Sequence, residues 1–304
     1  MTSAQLANQS RHALRVPFLI LWTLILSAFT AVLSGAPLKV LRNVVGPIWF
    51  WFICICLVAA AWALKVYPVA LVIAAQCILI GVYTEFEQHN FSVRQSAALS
   101  LVVSGLTVSS GFYLWAAANG KNWMATLTEV ITAFLQKASQ MNIQMIEGIK
   151  PEVLIAQIPS AVAIFLVLSL AFSLIFERTI FRWVGLTLRR KERLSDFSVF
   201  DAMIWFFIVS LLGTFSQTGI KAFEIVSLNI FNLCVAIYFF QGLAILSKYF
   251  EIFRVGAFWR ALWVFLLVIQ LPIVLSLVGV VDLWADFRKV FSRRAANLRK
   301  KVEE

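Results

Sequence analysis

The 304-residue chain is 61% hydrophobic and only 13% charged, with a mean hydropathy of +0.88, whereas a soluble domain is typically about half apolar and about a quarter charged. Its apolar residues are clustered in runs that match the ~20 residues a helix needs to cross ~30 Å of hydrocarbon. A soluble class is excluded. The net charge of +11 sits at the ends of those runs, where the positive-inside bias places it, so it points to the lipid bilayer and not to nucleic acid.

The first apolar segment, 16–34, is long and lacks a convincing small-x-small cleavage site, so it reads as a span and not a removed signal. It leads through Ser27, Ala31 and Gly35, a small-xxx-small-xxx-small row. Such a row lets another helix approach closely, either within the same bundle or on a separate subunit. "SGAPLK" then punctuates its end. Segments 47–64, 68–84 (opened by Pro68) and 95–117 follow. Cys54 and Cys56 are two apart, pointing ~200° away from each other on a helix. With Cys77 and Cys234 also in apolar runs and no C-x-x-C, no metal site is expected.

Residues 121–150 differ in kind. Trp123, Leu127, Val130, Phe134, Met141 and Met145 form one helical stripe, with Lys121, Glu129, Lys137 and Glu147 elsewhere around the axis. This predicts an amphipathic helix lying at the interface or against the bundle end. Segment 152–176 carries Pro159 inside it and runs into a basic cluster, Arg178, Arg182, Arg189, Arg190, Lys191 and Arg193. Segment 201–218 is short for a full crossing. Segment 222–247 holds Asn229 and Asn232 on one face and Gln241–Gly242 near its end, and 259–281 contains Pro272. A basic tail, 282–304, closes the chain.

The prediction is therefore an all-α polytopic transmembrane bundle, one membrane domain over 1–304. It has seven or eight apolar segments, according to whether 201–218 crosses, and one amphipathic interfacial helix. No Asp, Glu, Lys or Arg lies near the centre of a segment, which argues against an ion-coupled pump. Neither a carboxylate pair, nor a nucleophile with a base, nor a phosphate-binding glycine loop is visible, so no enzyme and no cofactor are expected. Asn229, Asn232 and Gln241 are the candidate solute-pocket residues; the same amides also suit hydrogen bonds between helices.

The stretch "VGVVDLWADFRKVFSRR" poses a puzzle. Asp282 and Asp286 fall at the end of a span, where carboxylates oppose the helix macrodipole. They therefore call for basic partners, with the 178–193 arginines, Lys248 and Arg254 as candidates. Trp284 suits an aromatic anchor at headgroup depth.

"NIFNLCVAIYFFQGLAIL" and "LVGVVDLWADFRK" resemble the C-terminal signature of the YybS-like family of bacterial membrane proteins of unknown function. The matching positions are Asn229, Gln241, Gly242, Gly279, Asp282, Trp284, Asp286 and Arg288, within roughly 228–290. That family distantly resembles the S components of energy-coupling-factor uptake systems. The resemblance implies a small helical protein of the bacterial inner membrane that binds a vitamin-like solute and docks to a coupling membrane subunit. Ser27, Ala31 and Gly35 would form the docking row. The expected function is a non-catalytic solute-binding transport subunit; a structural protein that scaffolds other membrane proteins is the rival.

Overall fold

The structure, a computed structural model, describes residues 3–120, 122–141, 150–184, 194–216 and 218–294. Every regular element among the described residues is helical. The chain divides into two compact units, Met1–Arg189 and Arg190–Glu304.

The first unit contains α1 (Ser3–Phe29), a 3-10 turn (Val32–Ser34), α2 (Gly35–Val45), α3 (Pro47–Ala63), α4 (Tyr67–Gln88), α5 (Val93–Ala118), α6 (Trp123–Gln140) and α7 (Pro151–Val184). Its core gathers Leu38, Leu41, Phe50, Ile73, Leu79, Ile80 and Leu166. The centre is α2, eleven residues long, whose positions from Gly35 to Arg42 are all buried. α1, α4 and α7 pack around it. Gly46, at φ 83, turns the chain from α2 into α3, a backbone conformation that only glycine adopts without penalty.

The second unit contains a 3-10 turn (Leu194–Asp196), α8 (Met203–Phe215), α9 (Lys221–Ile252), α10 (Ala257–Gln270) and α11 (Pro272–Ala285), with helix again over 287–294. α9 packs on α8 and α11, around Val199, Cys234 and Tyr238.

The helical membrane class stands, but the number of spans is lower than seven or eight. Four described helices are long and apolar enough to cross, and α10 with α11 makes a fifth if the bent pair counts as one span. Three apolar segments fold as shorter helices, Val16–Phe29, Pro47–Ala63 and Met203–Phe215. At 1.5 Å per residue the thirteen residues of α8 reach only about 20 Å. Segment 259–281 breaks at Leu271, with a 98° bend between its halves. Pro272 has no N–H to donate and starts a new helix there. Pro159, in contrast, sits inside α7 without ending it. Hydropathy registers how greasy a stretch is and is blind to such breaks.

The amphipathic segment is a helix from Trp123 to Gln140, capped by the Asn122 side chain, which accepts the Met124 N–H at 2.9 Å. Thr126 and Ala138 turn inward, while Trp123, Val130, Phe134 and Met141 are exposed. Leu127 of the stripe is half-buried, and the charged Glu129 and Lys137 are exposed as well. Lys121, Met145 and Glu147 lie outside the described residues, as do Arg189, Arg190, Lys191, Arg193 and the tail beyond Arg294.

Candidate functional site

The first unit holds a site that the hydropathy reading missed. "SGAPLK" is no surface loop: it turns directly into the buried helix α2 and carries Lys39 and Arg42 into the interior. Lys39 Nζ lies 3.0 Å from Glu177 Oε2 and 3.3 Å from Glu87 Oε2, with the Tyr83 ring centroid 4.5 Å away. Arg42 is bonded to Glu85, and its guanidinium lies 5.9 Å from the Phe50 ring centroid. Side-chain exposure is 0% at Lys39 and 4% at Glu177, but 15% at Glu87 and 38% at Glu85. The cluster therefore runs from a closed end at Lys39–Glu177 to an open end at Glu85.

Its construction follows from helical spacing. Gly35, Lys39 and Arg42 share one face of α2; Gln76, Tyr83 and Glu87 share one face of α4; Ser169, Ser173 and Glu177 share one face of α7. Three polar stripes meet. Above the ion pairs, Gln76 Nε2 donates to Ser169 Oγ at 2.7 Å and to the Ala31 carbonyl at 3.3 Å. Ser173 Oγ donates to the Ser169 carbonyl at 2.6 Å. Each charged residue stands at the end of an apolar segment or in the stretch that separates two. A search of segment centres therefore passed over all five. The i, i+4, i+7 recurrence of polar residues through apolar runs was the available signal.

The small-residue row fares differently from its expectation. α1 ends at Phe29, Ala31 has φ 49, and Gly35 opens α2, so the three positions do not lie on one continuous helix. Ser27 and Gly35 are buried in their own unit. A docking face for a separate subunit would need them at the surface.

In the second unit the three amides do not converge on a pocket. Asn229 Nδ2 donates to the Ile225 carbonyl of its own helix at 2.8 Å, and Asn232 is half-buried. Gln241 is fully engaged: its Oε1 accepts the Val199 N–H at 3.0 Å and its Nε2 donates to Asp282 Oδ2 at 3.2 Å. A recess of about 120 Å³ is lined by Phe206, Val209, Phe223 and Ile230 with two serines, and none of the three amides borders it.

The signature residues instead tie the unit together. A Cβ on Gly242 would stand 1.9 Å from the Leu275 carbonyl oxygen, and one on Gly279 would stand 2.1 Å from that of Tyr238. The two glycines let α9 and α11 touch backbone to backbone. Asp282 Oδ1 accepts the Phe287 N–H at 2.9 Å, and its Oδ2 lies 3.9 Å from Arg288 Nε. Arg288 also donates to the Phe197 carbonyl, while Trp284 is 70% exposed, as a headgroup anchor would be.

Within the second unit the aspartates' partners are thus local, Arg288 and Lys289, and not Lys248 or Arg254; Arg189, Arg190 and Arg193 lie outside the described residues, as does the Arg178 side chain. Lys248 faces Glu251 on its own helix. The reason is a reversal at Asp286, which takes the left-handed conformation, φ 44 and ψ 52. Beyond it a new helix starts, and Asp282 caps its N-terminus. The carboxylate answers the positive end of the following dipole instead of opposing the end of its own.

Asp286, just past the end of α11, is hydrogen-bonded to Lys289. That bond holds its carboxyl below the ordinary 3.8, assisted by the charges of Lys289 and Arg288. A lowered folded-state value means a contribution present above the unfolded value and lost as pH falls through the folded one. The group is on the surface, so the effect is small. Asp286→Asn should leave the thermal midpoint at pH 7 almost unchanged and flatten only the acid limb below about pH 4. A marked loss at pH 7 would assign Asp286 a role beyond this bond.

A family model, that of Predicted membrane protein (DUF2232), matches residues 13–283. No curated protein and no solved structure matches the chain.

Proposed function

We propose that this chain, which belongs to the DUF2232 family of predicted membrane proteins, is the non-catalytic small-solute-binding subunit of a transport system in the bacterial inner membrane. It is a multi-pass membrane protein by its helices and its family. The solute site is assigned to the first unit, at the Lys39–Arg42 cluster, and not to Asn229, Asn232 and Gln241.

One observation carries the reading: a broken helix delivers two cations into the interior of a membrane protein. Charged side chains there are costly, and where they persist they mark substrate or ion pathways. Discontinuous helices likewise mark binding sites in transporters, because freed backbone groups become ligands. The half-open carboxylates Glu85 and Glu87 give a polar solute a way to exchange its own groups for theirs at Arg42 and Lys39.

The test is mass spectrometry of small molecules retained through purification in mild detergent. The wild-type protein should carry one solute, and Glu85→Gln, which removes the carboxylate that the solute must displace from Arg42 at the exposed end of the cluster, should retain more of it while remaining folded. Retention of another membrane protein and no small molecule would favour the scaffold reading instead.

A further inference from the structure

We propose that the first unit holds a site for one small monovalent cation, of the sodium class, at the break between α1 and α2. This deepens the transport reading by naming an ion bound beside the solute; its ligands are neutral oxygens, so it needs no charged residue at a segment centre, and the site itself stands on geometry and charge.

α1 unwinds after Phe29. The Leu26 carbonyl accepts both the Thr30 and Ala31 N–H groups, and Ala31 adopts φ 49 before the 3-10 turn. The Ala31 carbonyl, freed from any helix, turns toward α4 and α7. It meets Gln76 Nε2 there and also accepts Ser34 Oγ at 2.7 Å. Beside it stand Ser169 and Ser173, both fully buried. Unwound carbonyls with neutral side-chain oxygens are the ligands that transporters offer to sodium at broken helices.

Gln76 supplies the independent observation. Its side chain is wholly buried, and Oε1 accepts no hydrogen bond. Exchanging the two ends of the amide does not help. The Ala31 carbonyl can only accept, so the nitrogen must face it and the oxygen stays the free end. Nearby Gly35 shows where that oxygen is aimed. A Cβ there would lie 2.3 Å from Ser173 Oγ and 2.9 Å from Gln76 Oε1, so both oxygens pack against the same flank of Gly35, where only glycine fits.

Charge points the same way. Lys39 and Arg42 face Glu85, Glu87 and Glu177, which leaves one negative charge in surplus in this cluster. Gly35 is one helical turn from Lys39, and Ser173 one turn from Glu177. A single positive charge at the break offsets the surplus. A divalent ion would overshoot it and would draw carboxylates as ligands. Buried water is the competing occupant, since it also satisfies lone polar atoms.

The experiment uses the full chain in detergent, with chlorides of sodium, potassium or choline at constant ionic strength. Sodium should raise the thermal midpoint saturably, choline should not, and radioactive sodium should bind at one ion per chain. Gln76→Met, which keeps length and removes Oε1, should abolish the sodium response while the protein still unfolds cooperatively in choline. If Gln76→Met does not fold, Ser173→Ala gives the reading: the half-saturating sodium concentration should rise by about tenfold, the weight of one lost contact to a charged group. Equal midpoints in sodium and choline, or a full sodium response in folded Gln76→Met, would overturn the site in favour of water. A sodium response without a retained solute removes the transport reading and leaves the cation site standing. A retained solute without a sodium response does the reverse.

Discussion

Lys39→Met should cost the protein about 3–5 kcal/mol, the loss typical when one member of a buried ion pair is removed. Methionine keeps the length and the apolar stem, so packing changes little and the effect is electrostatic. Glu177, 4% exposed, loses the cation 3.0 Å away, and the Tyr83 ring loses the ammonium above its face. Glu87 suffers less, because it is partly open to the surface. The double change Lys39→Met with Glu177→Gln should therefore recover most of the loss, since no closed-in charge is left stranded. Lys248→Met gives the contrast. Its partner Glu251 lies 3.6 Å away at the surface, where a pair contributes about 0–1 kcal/mol. Chemical unfolding of all three variants in one detergent decides the matter. If Lys39→Met proves no costlier than Lys248→Met, the cluster does not hold α2 in place.

The helical membrane class was legible because it rests on hydropathy alone, which accumulates over twenty residues and forgives local irregularity. The breaks were not. Ala31 and Leu271 differ from their neighbours in backbone torsion, and neither changes the average greasiness of its segment. α2 was hidden for a related reason: Lys39 and Arg42 lower its hydropathy, so the helix most enclosed in its unit reads as a polar interval. In the second unit the pattern was visible residue by residue, and the glycines and Asp282 do occupy contacts. Their roles were harder to read. Asp282 looks misplaced only while it is assigned to the end of α11; the reversal at Asp286 makes it the cap of the next helix. Asn229 and Asn232 share a face, but sharing a face does not supply a cavity.

Gly279→Ala should destabilise the second unit by about 1–3 kcal/mol or more, the range for overpacking a filled contact. The new methyl would stand 2.1 Å from the Tyr238 carbonyl oxygen, and the corresponding change at Gly242 would stand 1.9 Å from that of Leu275. Both obstacles are backbone atoms, so no side chain can swing aside; α9 and α11 must separate. Separation would stretch the bond from Ser276 Oγ to the Val235 carbonyl, now 3.0 Å, and the Gln241–Asp282 bond at 3.2 Å. Small residues at a membrane helix crossing act by allowing this close approach. The sign of the effect is the decisive feature. In a helix free of neighbours, alanine is favoured over glycine by about 1 kcal/mol, so an open position gains from the same substitution. Gly105, in α5, is such a position, with nothing within 4 Å of a Cβ placed there. Thermal unfolding should then show a loss for Gly279→Ala and a gain, or no change, for Gly105→Ala. A gain at both would mean that α9 and α11 do not meet at this crossing.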